Sequence, residues 1–186
     1  MRQADLDNMR DHVRAGDEPW NTAFNAFGAD SQSSKTPRIY YEDVYIFKHI
    51  QGPWEFTDPE GNKYSNPSEY VGARANTDSE TAFTQAIMWY ITGDETYRAN
   101  AMKIIRNYSK AEDVVQHWQF RFATMSYLLS AAAEILRYSD TPTEILKWTN
   151  ADTAKLTHLM DIVSVTYNAH GFFMNQHQFT VMGTMG

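Results

Sequence analysis

The central part of the chain repeats apolar positions at the spacing of amphipathic helices. Thr77 and Glu80 have the spacing of a capping box, which predicts a helix with Thr77 as its N-cap. Its apolar face is formed by Ala82, Phe83, Ala86, Ile87 and Tyr90. Thr92-Gly93-Asp94 ends this helix, and Asp94 is the expected N-cap of a second helix that continues to about Tyr108. So short a turn between two helices predicts an antiparallel helical hairpin.

Two shorter helices are expected before this hairpin. Leu6, Met9 and Val13 fall on one helical face, and Gly16 ends that segment. The next helix is expected to have Asp17 as its N-cap and to end at Gly28.

Two longer helices are expected after the hairpin. One is predicted from about Glu112 to Tyr138 and the other from about Asn150 to Tyr167, with a further helix from Gln178 onward. The apolar positions are Phe122, Met125, Leu128, Leu129, Ala132, Ile135 and Leu136 in the first, and Leu156, Leu159, Met160 and Val163 in the second. No alternating run of the kind that predicts a strand stands out, so the pattern indicates an all-α fold of successive helical hairpins.

Residues 29–74 lack helical periodicity and contain four prolines and eight aromatic residues, among them Tyr40 and Tyr41. So long a loop in a compact domain is commonly functional. Two interpretations stay open. The aromatic side chains either line a cleft, with Tyr41 as a substrate contact, or pin a surface loop to the core.

Composition narrows the classes of function. The 186 residues suffice for one domain, and we expect a single domain over residues 1–186. The net charge of −7 argues against a general nucleic-acid binder, so any site for an anion must be a local cluster of positive charge. No apolar run is long enough to span a membrane. Cysteine is absent, and neither a metal motif nor a cofactor fingerprint is found, so we expect no metal and no cofactor.

A group of polar and aromatic residues stands at the predicted start of the long helix. Trp118 can stack on a sugar ring, Gln119 can hydrogen-bond, and Arg121 can bind a carboxylate with two parallel N–H groups. The alternative is an ordinary helix start with a core Trp and a surface Arg. Arg74 is a second candidate for binding a carboxylate.

The stretch Gly171-Phe172-Phe173-Met174-Asn175-Gln176-His177-Gln178 joins an apolar run to four polar side chains. Such groups need partners if they are buried, and a polar substrate would supply them. The alternative is a helix start in which Asn175 is the N-cap.

The predicted hairpin resembles a known family. The residues that carry the likeness are Tyr90-Ile91-Thr92-Gly93-Asp94, Ala132–Tyr138 and the segment from Asp5 to Trp20. They are similar to the alginate-lyase-like polysaccharide lyases, and closest to the branch that cleaves glucuronan and alginate. The resemblance implies an (α/α) toroid of helical hairpins, secretion or a periplasmic location, and an anionic polysaccharide as substrate. It leaves the oligomeric state open.

The family has an Asn-His pair at the start of an inner toroid helix. The match here is Asn175-Gln176-His177, in which Gln176 separates the two. The resemblance implies that Asn175 and His177 are catalytic and that Gln176 binds substrate. Either amide can fill the family's Asn position. The family's Tyr acid and its Arg partner would fall beyond Gly186, so we expect an incomplete toroid, the N-terminal part of a longer domain.

This chemistry is β-elimination from a uronate. A base removes the C5 proton, an acid protonates the departing O4, and amide donors stabilise the charge that develops on the carboxylate. His177 serves as the base, or it binds the carboxylate while a Tyr transfers both protons. Two other classes stay open: a non-catalytic carbohydrate-binding or vestigial fragment, and a toroid glycoside hydrolase with two carboxylates.

Overall fold

The computed structural model describes residues 2–40, 56–57, 63–64, 67–112 and 119–168. These residues form six α-helices: α1 (Gln3–Ala15), α2 (Trp20–Gly28), α3 (Pro67–Thr92), α4 (Glu95–Tyr108), α5 (Gln119–Arg137) and α6 (Asn150–Asn168). The 3-10 turns Ser31–Ser33 and Glu144–Leu146 lie between helices. Strands β1 (Phe56–Thr57) and β2 (Lys63–Tyr64) pair antiparallel in a two-residue ladder. The regular secondary structure of the described residues is therefore almost entirely helical, as the periodicity predicts.

Helix α3 is the centre of the core, and it packs most extensively against α5 and α4. Its alanines allow this close approach, because Ala82 and Ala86 are fully buried against residues such as Ala101 of α4 and Ala132 of α5. Most positions of the predicted apolar faces are buried. The partly buried positions are Met9, Val13, Phe83, Ile87, Leu128 and Met160.

The turn between α3 and α4 has the predicted chemistry. Gly93 adopts φ 75°, a left-handed conformation that favours glycine. Asp94 is the N-cap of α4, because its carboxylate accepts a hydrogen bond from the Thr96 N–H at 2.9 Å. Gly16 ends α1 in the same left-handed conformation. The predicted turn of the helical hairpin and its Asp94 N-cap are confirmed.

The predicted start of α3 is wrong. This helix begins at Pro67, so Thr77 lies in its interior, where its hydroxyl donates to the Ala73 carbonyl oxygen at 3.1 Å. A Thr four residues after a carbonyl makes this bond readily within a helix. Proline is favoured in the first helical turn, and that signal competes with the capping-box spacing of Thr77 and Glu80.

Two other predicted boundaries need correction. Asp17 is not the N-cap of α2, which has Pro19 in that position without a side-chain cap; the Asp17 carboxylate contacts His12 Nδ1 at 2.8 Å instead. Glu112 lies in a bend outside any helix, and α5 is described from Gln119. In contrast, α6 begins at Asn150 as predicted.

A buried arginine donates a hydrogen bond to a carbonyl group at the C-terminal end of α5. Arg98 of α4 is 1% exposed, and its guanidinium stacks 4.1 Å from the Trp89 ring. It donates to the carbonyl oxygens of Leu136 and Leu146, each at 2.8 Å. The last carbonyl groups of a helix lack partners within the helix, so Arg98 satisfies one of them and ties α5 to the following turn.

None of the helices in the described part of the chain is long and apolar enough to cross a membrane.

Candidate functional site

Side-chain amides of α3 and α4, one buried and one half-buried, bind the segment Asp30–Tyr40. The Gln85 side chain on α3 is fully buried and donates to the backbone carbonyls of Gln32 and Ser34. Asn100 on α4 donates to the Lys35 carbonyl at 3.1 Å and to the Gln85 amide oxygen at 2.9 Å. These hydrogen bonds hold the backbone of the segment at Gln32, Ser34 and Lys35.

Asp78 holds the end of this segment. Its carboxyl group is fully buried on α3 and accepts hydrogen bonds from the Tyr40 N–H and from the Tyr108 hydroxyl, each at 2.9 Å. Tyr108 is also fully buried, at the last turn of α4. One carboxyl group therefore connects α3, α4 and the backbone of Tyr40.

Two arginines lie against the ring of Tyr40. The Arg38 guanidinium carbon is 4.4 Å from the ring centroid, and that of Arg74 is 5.0 Å from it. Arg38 is exposed, whereas Arg74 and Tyr40 are half-buried. Cations at this distance from an aromatic ring are attracted to its π-system. We call Arg38, Tyr40 and Arg74 the arginine–tyrosine cluster.

The cluster concentrates positive charge on an acidic chain. Guanidinium groups match the geometry of a carboxylate, and here two of them lie within about 5 Å of a ring whose backbone Asp78 holds. The arrangement can bind a carboxylate beside a flat apolar surface.

The other predicted site residues fall in two groups. Gln119 and Arg121 lie in the first turn of α5, with side chains outside the described residues. Five predicted residues lie outside the described residues altogether: Trp118, Tyr41, Asn175, Gln176 and His177. Only Arg74 among the eight predicted contacts thus has a described side-chain environment, and it is in the arginine–tyrosine cluster.

Sequence reasoning missed Arg38 and the anchoring role of Asp78. Arg74 and Asp78 are four residues apart, which places them on one face of a helix. With the helix predicted to start at Thr77, Arg74 falls outside the helix, so the sequence pattern does not place it on one face with Asp78. Asp78 does not suit the role of a carboxylate in glycoside hydrolysis, because it is fully buried and accepts hydrogen bonds from Tyr40 and Tyr108.

The described residues contain no group of three or more His, Asp or Glu side chains placed to hold a metal ion. Comparison with family models, curated proteins and solved structures finds no match to this chain.

Proposed function

We propose that this protein is a polysaccharide lyase that cleaves a uronate polymer, glucuronan or alginate, by β-elimination. The helical hairpins are, in this proposal, part of an (α/α) toroid. The observation that carries the proposal is the arginine–tyrosine cluster, because it places two guanidinium groups, whose geometry matches a carboxylate, against one aromatic ring.

The cluster is suited to a uronate residue. Arg74 and Arg38 pair with the carboxylate, and the Tyr40 ring offers an apolar face beside it. A sugar ring has apolar faces formed by its C–H groups, so an aromatic ring next to a guanidinium fits both parts of a uronate.

The chemical step is assigned to Asn175, Gln176 and His177. The base removes the C5 proton, the electron pair forms the C4–C5 double bond, and O4 leaves with a proton from an acid. A histidine side chain has an unperturbed pKa of about 6.5, which suits this residue type to act as a base near neutral pH. The amide of Asn175 or Gln176 donates to the carboxylate as negative charge builds up on it.

The test is the ultraviolet absorbance of the unsaturated product, measured with glucuronan and with alginate. We expect His177→Ala to lower kcat by at least about 100-fold, which is the usual contribution of a general base. Equal activity in the wild type and His177→Ala would reject the assignment of His177.

Arg74→Gln tests the contribution of the cluster. We expect this substitution to raise KM by about tenfold, because a charge-assisted contact to the substrate is lost. The matched control is Arg2→Gln: Arg2 is exposed and pairs with Asp5 at the start of α1, so its replacement should leave KM unchanged.

Two results would favour the other classes of function. Saccharide binding without the absorbing product would indicate a non-catalytic carbohydrate-binding protein. New reducing ends without that absorbance would indicate a glycoside hydrolase.

A further inference from the structure

A pocket lies at the end of α3 that is remote from the arginine–tyrosine cluster. It has a volume of about 380 Å³ and is formed by α1, the turn between α3 and α4, and the turn after α5. Such a volume lies within the range of pockets that take small ligands. Arg74 and Tyr90 are sixteen positions apart on α3, so the pocket is about 24 Å from the arginine–tyrosine cluster along the helix. We call it the turn pocket.

Most charged groups around the turn pocket are paired within the protein. Arg10 contacts the carboxylates of Asp7 and Asp11, each at 2.9 Å. Glu95 accepts hydrogen bonds from the Trp89 indole N–H, at 3.0 Å, and from the Thr141 hydroxyl. These side chains stabilise the walls of the pocket and have little charge left to offer a ligand.

Two lining side chains keep hydrogen-bonding groups for a ligand. Arg14 donates through Nε to the Ile91 carbonyl at 2.9 Å, and its two terminal nitrogens make no hydrogen bond to any other described residue. Asp140 accepts from the Thr141 N–H through Oδ1, which leaves Oδ2 without a hydrogen bond in the described part of the chain. The guanidinium provides donors and the carboxylate provides an acceptor, and their charges compensate each other.

The same pocket has an aromatic wall and an unsatisfied hydroxyl. Tyr138 is 65% exposed, and Arg137 lies 5.1 Å from its ring centroid, which can cover one face of the ring only. The neighbouring Ser139 also lines the pocket, and its buried hydroxyl oxygen has no hydrogen-bond partner among the described residues. A buried polar atom without a partner is uncommon, and an ordered water would satisfy it.

We propose that the turn pocket binds a neutral saccharide, with its sugar ring on Tyr138 and its hydroxyl groups hydrogen-bonded to Arg14 and Asp140. Sugar hydroxyls both donate and accept, which matches a pocket lined by a donor and an acceptor of opposite charge. An anion would meet the carboxylates of Asp140, Asp7 and Glu95 in the pocket, and their negative charge disfavours it.

The test compares two probes of the same length and linkage. Cellotetraose is neutral, and tetraglucuronate differs from it by a carboxylate in place of each hydroxymethyl group on C5. Binding of each to the full chain is measured by titration calorimetry. We expect Tyr138→Ala to weaken cellotetraose binding by at least about fivefold, the effect of truncating an aromatic anchor in a binding site.

Tyr127→Ala is the matched control, because Tyr127 is also an exposed tyrosine but lies on α5 and does not line the pocket. It should leave cellotetraose binding unchanged. Asp140→Asn tests the hydrogen-bonding part independently and should also weaken binding.

Three results would overturn the proposal: no cellotetraose binding, equal binding in the wild type and Tyr138→Ala, or a Tyr138→Ala effect confined to tetraglucuronate. The outcome is separate from that of the lyase proposal, because it is a binding constant and does not depend on cleavage. Arg74→Gln should leave cellotetraose binding intact even if the chain has no lyase activity.

Discussion

At the scale of single residues, Asp78 has the largest structural role near the arginine–tyrosine cluster. A fully buried carboxyl group is costly unless hydrogen bonds compensate it. The Tyr40 N–H and the Tyr108 hydroxyl provide two such bonds. The position of Tyr40, and with it the ring on which Arg38 and Arg74 lie, therefore depends on a residue that no ligand needs to touch.

Tyr108→Phe isolates one of these bonds without changing the packed volume. We expect the free energy of unfolding to fall by about 1–3 kcal/mol, because the buried Asp78 carboxyl group loses one of its hydrogen-bond donors. Urea denaturation measures the change. Tyr127→Phe is the control, because the exposed Tyr127 side chain should tolerate loss of its hydroxyl; an equal effect in both variants would contradict the role given to Asp78.

The sequence predicts single site residues only in part. Arg74 was expected as a carboxylate contact from its residue type, and it lies in the arginine–tyrosine cluster. Arg38 was not expected, because nothing in the sequence near Pro37 indicates that its guanidinium lies over Tyr40. That contact depends on the fastening of the segment by Gln85 and Asn100, which are remote in sequence from Arg38.

At the scale of elements, helix starts show what local sequence patterns can and cannot determine. Thr149 and Asp152 form a reciprocal cap at the start of α6: Asp152 accepts from the Thr149 N–H at 2.9 Å, and the Asp152 N–H donates to the Thr149 hydroxyl at 3.1 Å. Thr77 and Glu80 have the same spacing, but they lie in the middle of α3. The spacing alone therefore does not identify a helix start.

These two threonines give a matched pair of substitutions. Thr149→Ala should lower the free energy of unfolding by about 1 kcal/mol, because an N-cap is lost. Thr77→Ala should change it by less than about 0.5 kcal/mol, since alanine is the better helix former and the Ala73 carbonyl keeps its bond within the helix. Thermal or urea unfolding measures both, and a larger loss in Thr77→Ala would contradict the helix boundary at Pro67.

Most helices could be predicted because their apolar faces and turn residues agree. Gly16, Gly93 and Asp94 each mark a helix end by its own backbone chemistry. The first ten residues of α3 could not be predicted, because this stretch carries Gly72 and small residues such as Ala73 and Ala75 in place of a stripe of large apolar side chains. Ala75 is nevertheless fully buried, so tertiary packing stabilises this part of the helix.

At the scale of the whole molecule, an ion pair links α4 to the start of α6. Arg106 contacts the two carboxylate oxygens of Asp152 at 2.8 and 3.0 Å. Burial alone would raise the pKa of Asp152, but the hydrogen bonds from Arg106 and Thr149 outweigh burial and hold the pKa below its usual value. At the α3–α4 turn, the hydrogen bond from Lys35 lowers the pKa of Asp94 to about 2.

These lowered pKa values determine the direction of a pH effect. A carboxyl group with a lower pKa in the folded state stabilises the protein above its unfolded pKa, near 4, and this stabilisation is lost as the pH falls through the folded pKa. We therefore expect the free energy of unfolding to decrease on acidification below about pH 4.

Asp152→Asn tests this effect in one group. At pH 7 the variant should be less stable than the wild type by about 2 kcal/mol, because a hydrogen bond to a charged group is lost. The difference should shrink as the wild-type carboxylate becomes protonated. Urea denaturation between pH 7 and pH 2 measures it, with Asp161→Asn as an exposed control on α6; a difference that does not vary with pH would contradict the role of the Arg106 contact.

Side chains of helices α3 and α4 hold the segment Asp30–Tyr40 by hydrogen bonds. Gln85, Asn100 and Asp78 bind backbone groups of this segment up to Tyr40. The positions of Arg38 and Tyr40 beside α3 are therefore set by contacts that precede, along the chain, the long aromatic-rich segment. A segment attached to so fixed a junction can differ in length and composition at little cost to the junction itself. In protein engineering terms, Tyr40 is a graft point, after which the sequence can be exchanged while the hydrogen bonds of the Asp30–Tyr40 segment are kept.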